Sequence, residues 1–171
     1  YTVECSDELV LDAATAIDNC ASDVELDYTE AIVEGCGSSY VLTRTWLATD
    51  DCDNSSTESQ TITVVDTTAP VLSIPADYTA ECSDEHPMDD ASATDNCGEV
   101  TIDVVETTID GACAGDYTIT RAFTATDDCG NATSATQTIT IIDTTSPVLT
   151  IPADYTAECS DAHPMDDASA T

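Results

Sequence analysis

The chain contains no lysine, and its only fixed cations, Arg44 and Arg121, stand against 35 Asp and Glu for a formal net charge of −33. This balance excludes electrostatic binding to nucleic-acid phosphates or to anionic lipid. It leaves a carboxylate surface that calls for cations. Aromatic residues are scarce, with one Trp, one Phe and six Tyr, so few rings are available for a sugar-stacking platform. No apolar run is long enough to span a bilayer, no CxxC pair suggests zinc, and no stretch sustains helical periodicity. Neither an initiator methionine nor a signal segment precedes Tyr1, which stands at the phase of Tyr78 and Tyr155 in a recurring pattern. A window on a longer array is the expectation.

Cysteine is plentiful and evenly placed. Cys5, Cys20, Cys36 and Cys52 recur as Cys82, Cys97, Cys113 and Cys129, each displaced by 77 (82 − 5), and Cys159 opens a third round. The chain is an array of one unit: repeat one over residues 1–66 without the start of its first strand, a complete repeat two over 67–143, and the beginning of repeat three over 144–171. Residues 144–171 match 67–94 except at Ala69/Ser146, Ser73/Thr150 and Glu85/Ala162. Four cysteines in a unit this small read as disulfides formed in an oxidising, extracytoplasmic compartment.

Thr, Val, Ile and Tyr in alternation are strand composition, so the chain reads as all-β. In repeat two the expected strands are 71–82 interrupted by Pro75, the short ASAT segment, 100–107, 117–126 and 133–142. Val24, Leu26 and Tyr28 correspond to Val100, Ile102 and Val104 at an offset of 76 (100 − 24), with the compensating residue expected in the loop 107–112 against 31–35. Placing both indels in turns preserves the inward face, which a one-residue slip inside a strand would reverse.

One face of 117–126 carries Tyr117, Ile119, Arg121, Phe123 and Ala125, and its counterpart carries Tyr40, Leu42, Arg44, Trp46 and Ala48. An Arg on an inward face needs a partner. The recurrent first-strand glutamate is the candidate, giving Arg44 with Glu4 and Arg121 with Glu81 as structural ion pairs, in preference to an anion or sugar-acid site. Strand direction puts Cys82 and Cys113 at one pole, Cys97 and Cys129 at the other. The expected bridges are therefore Cys82–Cys113 and Cys97–Cys129, with Cys5–Cys36 and Cys20–Cys52 in repeat one. Each would close a loop of about 30 residues, contributing roughly 3.5 to 4 kcal/mol in the chain-entropy account.

The same alternation gathers Asp95, Asn96, Asp127, Asp128 and the linker Asp66 at the pole where the chain enters repeat two. Oxygen ligands from separate loops suit Ca²⁺, which takes six to eight. Repeat one offers Asp18, Asn19, Asp50 and Asp51. The competing reading is that these side chains only close tight turns.

The runs ATDNC, YTITRAFTATDDCGN and QTITIIDTTSP resemble the hyalin repeat and its cysteine-rich bacterial relatives, found in tandem in large surface proteins, notably of Bacteroidetes. The resemblance covers essentially the whole of each repeat and implies an immunoglobulin-like or fibronectin-III-like sandwich acting as an adhesive or spacer module at the bacterial cell surface. Those relatives often carry a further cysteine pair, at positions that here are Ile74 and Ala135. Asn54 and Asn131 stand in N-glycosylation sequons. Thr67 and Thr144 sit in Asp-Thr-Thr linkers that resemble the O-glycosylation acceptor of Bacteroidetes.

Catalysis is not expected, since His86 and His163 lie in a loop whose counterpart in repeat one carries Leu9, and no nucleophile and base share a pole. Two functions remain. Repeats stacked end to end would form an extracellular rod or filament, partnered by neighbouring repeats or copies of itself. Alternatively the module binds glycan or another surface directly. Near-identity of the copies favours the spacer.

Overall fold

The alternation of threonine with isoleucine, valine and tyrosine gives the central strands one apolar and one hydroxylated face, and the chain sorts those faces inward and outward as a pleat requires. A computed structural model describes residues 1–20, 23–156 and 158–159 and the backbone of 169–170, and all its regular elements are strands. Repeat one holds β1 (Thr2–Glu4), β2 (Glu25–Glu34), β3 (Tyr40–Thr49) and β4 (Ser55–Val65). Repeat two holds β5 (Val71–Ser73), β6 (Tyr78–Glu81), β7 (Ser92–Thr94), β8 (Val100–Asp110), β9 (Tyr117–Asp127) and β10 (Ala132–Ile142). Beyond them β11 (Leu149–Thr150) pairs with β12 (Ser169–Ala170).

The main sheet of repeat two runs β6-β10-β9-β8, with β6 parallel to β10 and the remaining pairs antiparallel. A second, two-stranded sheet is formed by β5 and β7, and β5 also touches β10. Together they make a small immunoglobulin-like sandwich. Pro75 lies between β5 and β6, so the interrupted first strand changes sheets at the residue that cannot donate to a ladder. In repeat one the corresponding sheet runs β1-β4-β3-β2, again with its first strand parallel to its last.

The expected faces hold on β9 and β10 but not on β2 and β8, where Leu26, Tyr28, Ile102 and Val104 are exposed because these edge strands have little packed against either face. On β9, Ile119, Arg121, Phe123 and Ala125 are buried while Ala122 is exposed, and on β10 the buried set is Gln137, Ile139 and Ile141. Ile119, Ile139 and Ile141 form a cluster flanked by Tyr78, Ala80 and Tyr117; Leu42, Ile62 and Val64 repeat it beneath Val3, Leu9 and Tyr40. Burying each such side chain contributes about 1.5–3 kcal/mol. The position filled by Leu9 falls to His86 in repeat two, half-buried with Nδ1 out of solvent rather than on the open loop surface. His163 lies outside the described residues.

Leu26 pairs with Ala48 and Ile102 with Ala125, which fixes the offset of 76 in β2 and β8 against 77 in β3 and β9. The compensating residue is Ala112, at the end of the expected stretch, since Gly35 and Gly111 donate alike to Ser39 and Asp116 C=O while Cys36 and Cys113 accept alike from Ser39 and Asp116 N–H. β8 continues through Asp110, opposite Tyr117, and the loop 111–116 has one residue more than 35–39.

Candidate functional site at the joint between repeats

β4 ends at Val65 and the chain crosses into repeat two through the linker 66–70, bringing the pole of repeat one that carries Cys5 and Cys36 against the pole of repeat two that carries Cys97 and Cys129. The cysteine poles are those read from strand direction, but the bridges cross the joint. Cys5 is bonded to Cys97, 92 residues on, and Cys36 to Cys129, 93 residues on. This corrects the pairings Cys5–Cys36 and Cys97–Cys129. Cys20, Cys52, Cys82 and Cys113 are exposed thiols, so Cys20–Cys52 and Cys82–Cys113 are not formed either. Direction along a strand fixes the pole of each cysteine, whereas partner choice depends on which pole faces which, and stacking sets opposite poles of successive repeats together.

The backbones meet closely there. Ser38 N–H donates to Cys97 C=O at 2.8 Å. Gly37 has φ of +52°, and a Cβ on it would stand 3.0 Å from that same carbonyl oxygen. Only glycine holds this conformation cheaply.

Glu4 does not pair with Arg44. Its carboxylate accepts the N–H of Thr67 at 3.2 Å and the Thr67 hydroxyl, tying β1 to the linker. Glu81 accepts from Thr144 in the same way, with an N–H bond of 3.1 Å, rather than from Arg121. These bonds hold the Glu81 carboxyl below its usual range, the Thr144 hydroxyl acting most strongly and its amide next. The arginines take the adjoining strand instead: Arg44 Nε meets Glu30 at 3.1 Å and Arg121 Nε meets Glu106 at 2.8 Å. Arg121 also donates to Asp89 C=O at 2.7 Å and to Gln137 Oε1 at 3.2 Å, and lies over the Phe123 ring. Glu30 and Glu106 share the 76-residue offset of their strands (106 − 30), and that was the signal for these pairs.

Three carboxylates converge beside the bridge. One oxygen from each of Asp66, Asp95 and Asp127 lies within 4.8 Å of the others. Asp66 and Asp127 are buried, and Asp95 Oδ2 is shut from solvent with no hydrogen-bond partner. Burial pushes the Asp66 carboxyl up; the bond from Thr68 N–H opposes this and the nearby Asp95, Asp127 and Glu4 charges reinforce it. Burial also pushes Asp127 upward, but bonds from the Asn131 side chain and the Asn131, Cys129 and Gly130 amides outweigh it and hold Asp127 below its usual value. The cluster thus contains a raised carboxyl, a lowered one and an orphaned acceptor, a donor set that fits a hard cation. Cys5 and Cys97 lie within the same distance of Asp66, but their sulfurs are joined to each other and supply no thiolate.

Asp128 is not one of the three converging carboxylates. Asn96 Nδ2 lies 2.9 Å from Cys97 Sγ, and Asp128 Oδ2 accepts Glu99 N–H at 3.2 Å. In repeat one Asp18 accepts Cys20 N–H, while Asp50 closes its turn through Cys52 and Asn54 and is held low, chiefly by the Asn54 side chain. Around Asp18, Asn19, Asp50 and Asp51 no comparable trio of ligating side chains forms among the described residues.

The sequon residue Asn131 has its amide committed, Nδ2 donating to Asp127 Oδ2 at 2.8 Å and to Asp66 C=O at 3.2 Å. Asn54 makes only the first of these bonds, to Asp50 at 2.9 Å, and is exposed. The Thr67 and Thr144 hydroxyls are donated to Glu4 and Glu81, as above.

Residues 70–141 match the family described as the HYR-like domain with 4 cysteines. No curated protein sequence matches the chain. Solved structures to which it is similar include protocadherin gamma B2 extracellular cadherin domains 1–5, at 14% identity and a TM-score of 0.37 over 91% of this chain and 41% of that one. Protocadherin gamma B7 domains 1–4 give 15% identity and 0.37 over 89% and 51%, and the human desmocollin-1 ectodomain 11% and 0.28 over 64% and 28%. The chain spans about half or less of the length of these structures. No helix among the described residues is long and apolar enough to cross a membrane.

Proposed function

We propose that the chain is a non-catalytic structural module of an extracellular fibre or long bacterial surface adhesin, its repeats stacked end to end as a rod that sets reach. The observation that carries this reading is that both disulfides, Cys5–Cys97 and Cys36–Cys129, join one repeat to the next rather than closing a repeat on itself. A linker of five residues with no other restraint would hinge; two bridges and the Glu4–Thr67 clamp remove that freedom. The bridge from Cys5 encloses 92 residues, for which chain entropy gives about 4.5 kcal/mol.

Ca²⁺ belongs to this reading as the cation that offsets the carboxylates of Asp66, Asp95 and Asp127, with the orphaned Asp95 oxygen supporting it. Oxygen-only ligation favours calcium over softer metals. The adhesive alternative needs an exposed aromatic platform; Phe123 is 2% exposed and the half-buried Tyr78 gives its hydroxyl to Pro87 C=O, so the exposed rings left to that reading are Tyr1, Tyr28 and Tyr155.

Small-angle scattering of the oxidised chain, with Ca²⁺ and with chelator, tests both parts. The expected result is one extended particle whose maximum dimension fits two stacked units of roughly 35–40 Å each, the span of strands of about eleven residues. A broad distribution of dimensions in the intact disulfide form would end the rod reading; dimensions and melting midpoint indifferent to Ca²⁺ would end the calcium part alone.

A further inference from the structure

Each repeat leaves one long strand open along its outer side. β8 closes the sheet β6-β10-β9-β8, and its eleven residues run without a bulge against β9. It belongs to repeat two, all of whose strands are present, so the open edge is a property of the unit. β2 takes the same place in the sheet β1-β4-β3-β2 over ten residues, again in unbroken register. Neither strand contains Pro or Lys, so three devices that commonly blunt an edge, the bulge among them, are missing.

The direction of the backbone groups follows from the ladder. Gly111 N–H donates to Asp116 C=O, in continuation of the register of β8 on β9. Alternation then commits the odd-numbered residues of β8 to β9 and turns the N–H and C=O of Ile102, Val104, Glu106 and Thr108 to the open side. Gly35 N–H donates to Ser39 C=O and sets the same alternation on β2. Apolar side chains accompany the open edge, with Val104 47%, Val105 63% and Ile109 68% exposed.

The carboxylates on these edges are spaced so that each strand fits antiparallel to its own copy. Counted from Val105, they stand at −2, +1 and +5 (Asp103, Glu106, Asp110); counted from Thr29, at −4, −2, +1 and +5 (Glu25, Asp27, Glu30, Glu34). A two-fold axis through either residue reverses the signs, and no position coincides with its mirror image. Asp103 falls opposite Thr107, Glu106 opposite Val104 and Asp110 opposite Val100, so no two carboxylates are directly opposed. Glu106 meets its own copy only on the diagonal and is already paired with Arg121, as Glu30 is with Arg44. An axis moved to Asp103 or Glu106 sets a carboxylate against itself, and one moved to Val104 leaves Ile109 and Asp110 beyond the partner strand. The axis at Val105 pairs all eleven residues of β8.

We propose that β8 and its counterpart β2 are lateral association edges, at which two copies of the chain lie side by side in opposite directions with their strands paired antiparallel about Val105 or Thr29. Main-chain bonds then join Ile102 to Thr108 and Val104 to Glu106, while Val105 packs on Val105 and Ile109 on Thr101. The mirror relation also holds when β2 faces β8, so any repeat accepts any other. The contact of β8 with β8 is isologous and closes in a pair. It goes beyond the rod reading and does not depend on how repeats stack within a chain. The acidic surface opposes the approach at low salt, and association strengthens as the Debye length falls from about 30 Å at 0.01 M to about 8 Å at 0.15 M.

The test is sedimentation velocity of the 171-residue chain, its free thiols alkylated, over a series of protein and NaCl concentrations, with amide hydrogen exchange on the same samples. Expected is reversible association that rises with both. Exchange should slow at the amides of Ile102, Val104, Glu106 and Thr108 as copies associate, and stay unchanged at Asp103, Val105 and Thr107, which β9 already holds. Thr29→Asp with Val105→Asp, both at exposed positions, puts a carboxylate on the axis of every pairing and should weaken association about tenfold or more. Thr29→Ser with Val105→Thr should leave it unchanged. A chain that stays monomeric at every salt concentration, association unmoved by the paired aspartates, or slowed exchange confined to residues outside β2 and β8 would overturn the proposal. So would a monomeric chain that takes up an extended Lys-Val-Lys-Val peptide on the same amides, which would assign the edge to a foreign cationic strand.

Discussion

Glu81 closes β6 and holds, through both its amide and its hydroxyl, a residue 63 positions later, Thr144, the first threonine after β10. Glu4 does the same to Thr67, so one acidic side chain per repeat fixes the direction in which the chain leaves. The glutamate that strand position marks as an arginine's partner serves the joint.

The clamp is pH-dependent with a definite sign. The Glu81 pKa is depressed on folding, so its contribution is present above the ordinary carboxylate value of about 4.3 and is lost as pH falls through the lower folded value. Hydrogen exchange at the Thr144 amide should therefore show protection that is flat from neutrality to about pH 5 and falls only below the ordinary carboxylate value. Glu81→Gln should weaken the protection and abolish its pH dependence. Loss of protection already above about pH 5.5 would contradict this assignment.

Asp66 has the opposite sign. Its pKa is raised by burial, so its charge opposes folding at neutral pH and the opposition is relieved as pH falls through the folded value. In chelator, Asp66→Asn is expected to raise the midpoint of a thermal melt by a few degrees at pH 7 and to leave it unchanged near pH 3. In excess Ca²⁺ the order reverses, because a cation bound only by the folded state stabilises the parent chain and not the variant. A variant less stable than the parent in chelator would refute the repulsive role.

Asn131 is committed to Asp127 and to the linker carbonyl of Asp66, so the two sequons should differ. Expressed in a glycosylating host, Asn54 is expected to carry any glycan and Asn131 to remain bare by mass spectrometry. Asn131→Ala removes a charge-assisted donor from a buried carboxylate and should cost on the order of 1–3 kcal/mol. Full occupancy of Asn131 in a folded chain would show that its amide is free.

Arg121 is 4% exposed and bonded to Glu106, Asp89 C=O and Gln137. Arg121→Ala strands a buried acceptor and opens a void against Phe123, with an expected loss of about 3–5 kcal/mol by denaturant melt. Glu106→Gln, at a side chain 47% exposed, should cost about 1 kcal/mol or less. Equal losses in the two variants would mean that the ion pair, rather than the buried guanidinium's wider network, dominates.

What the sequence by itself determined is whatever is local or periodic. Two-residue alternation fixes the strands and the buried faces of the central β9 and β10, though not of β2 and β8, whose apolar side chains stay exposed; the offset of 76 against 77 fixes the register of β2 and β8, and strand direction assigns each cysteine and acidic turn to its pole. Asp66, Asp95 and Asp127 were legible for that reason. Tertiary structure alone decided which poles meet. Cys5 finds Cys97 because stacking presents one repeat's upper pole to the next one's lower pole, a relation between copies that no spacing within a single copy encodes. The same holds for Glu4 and Thr67, which lie in different elements and touch only once the linker turns. Asp128 occupies the acidic pole in sequence yet bonds to Glu99 N–H, because a pole gathers turns while the direction of each side chain is set by its own turn's geometry.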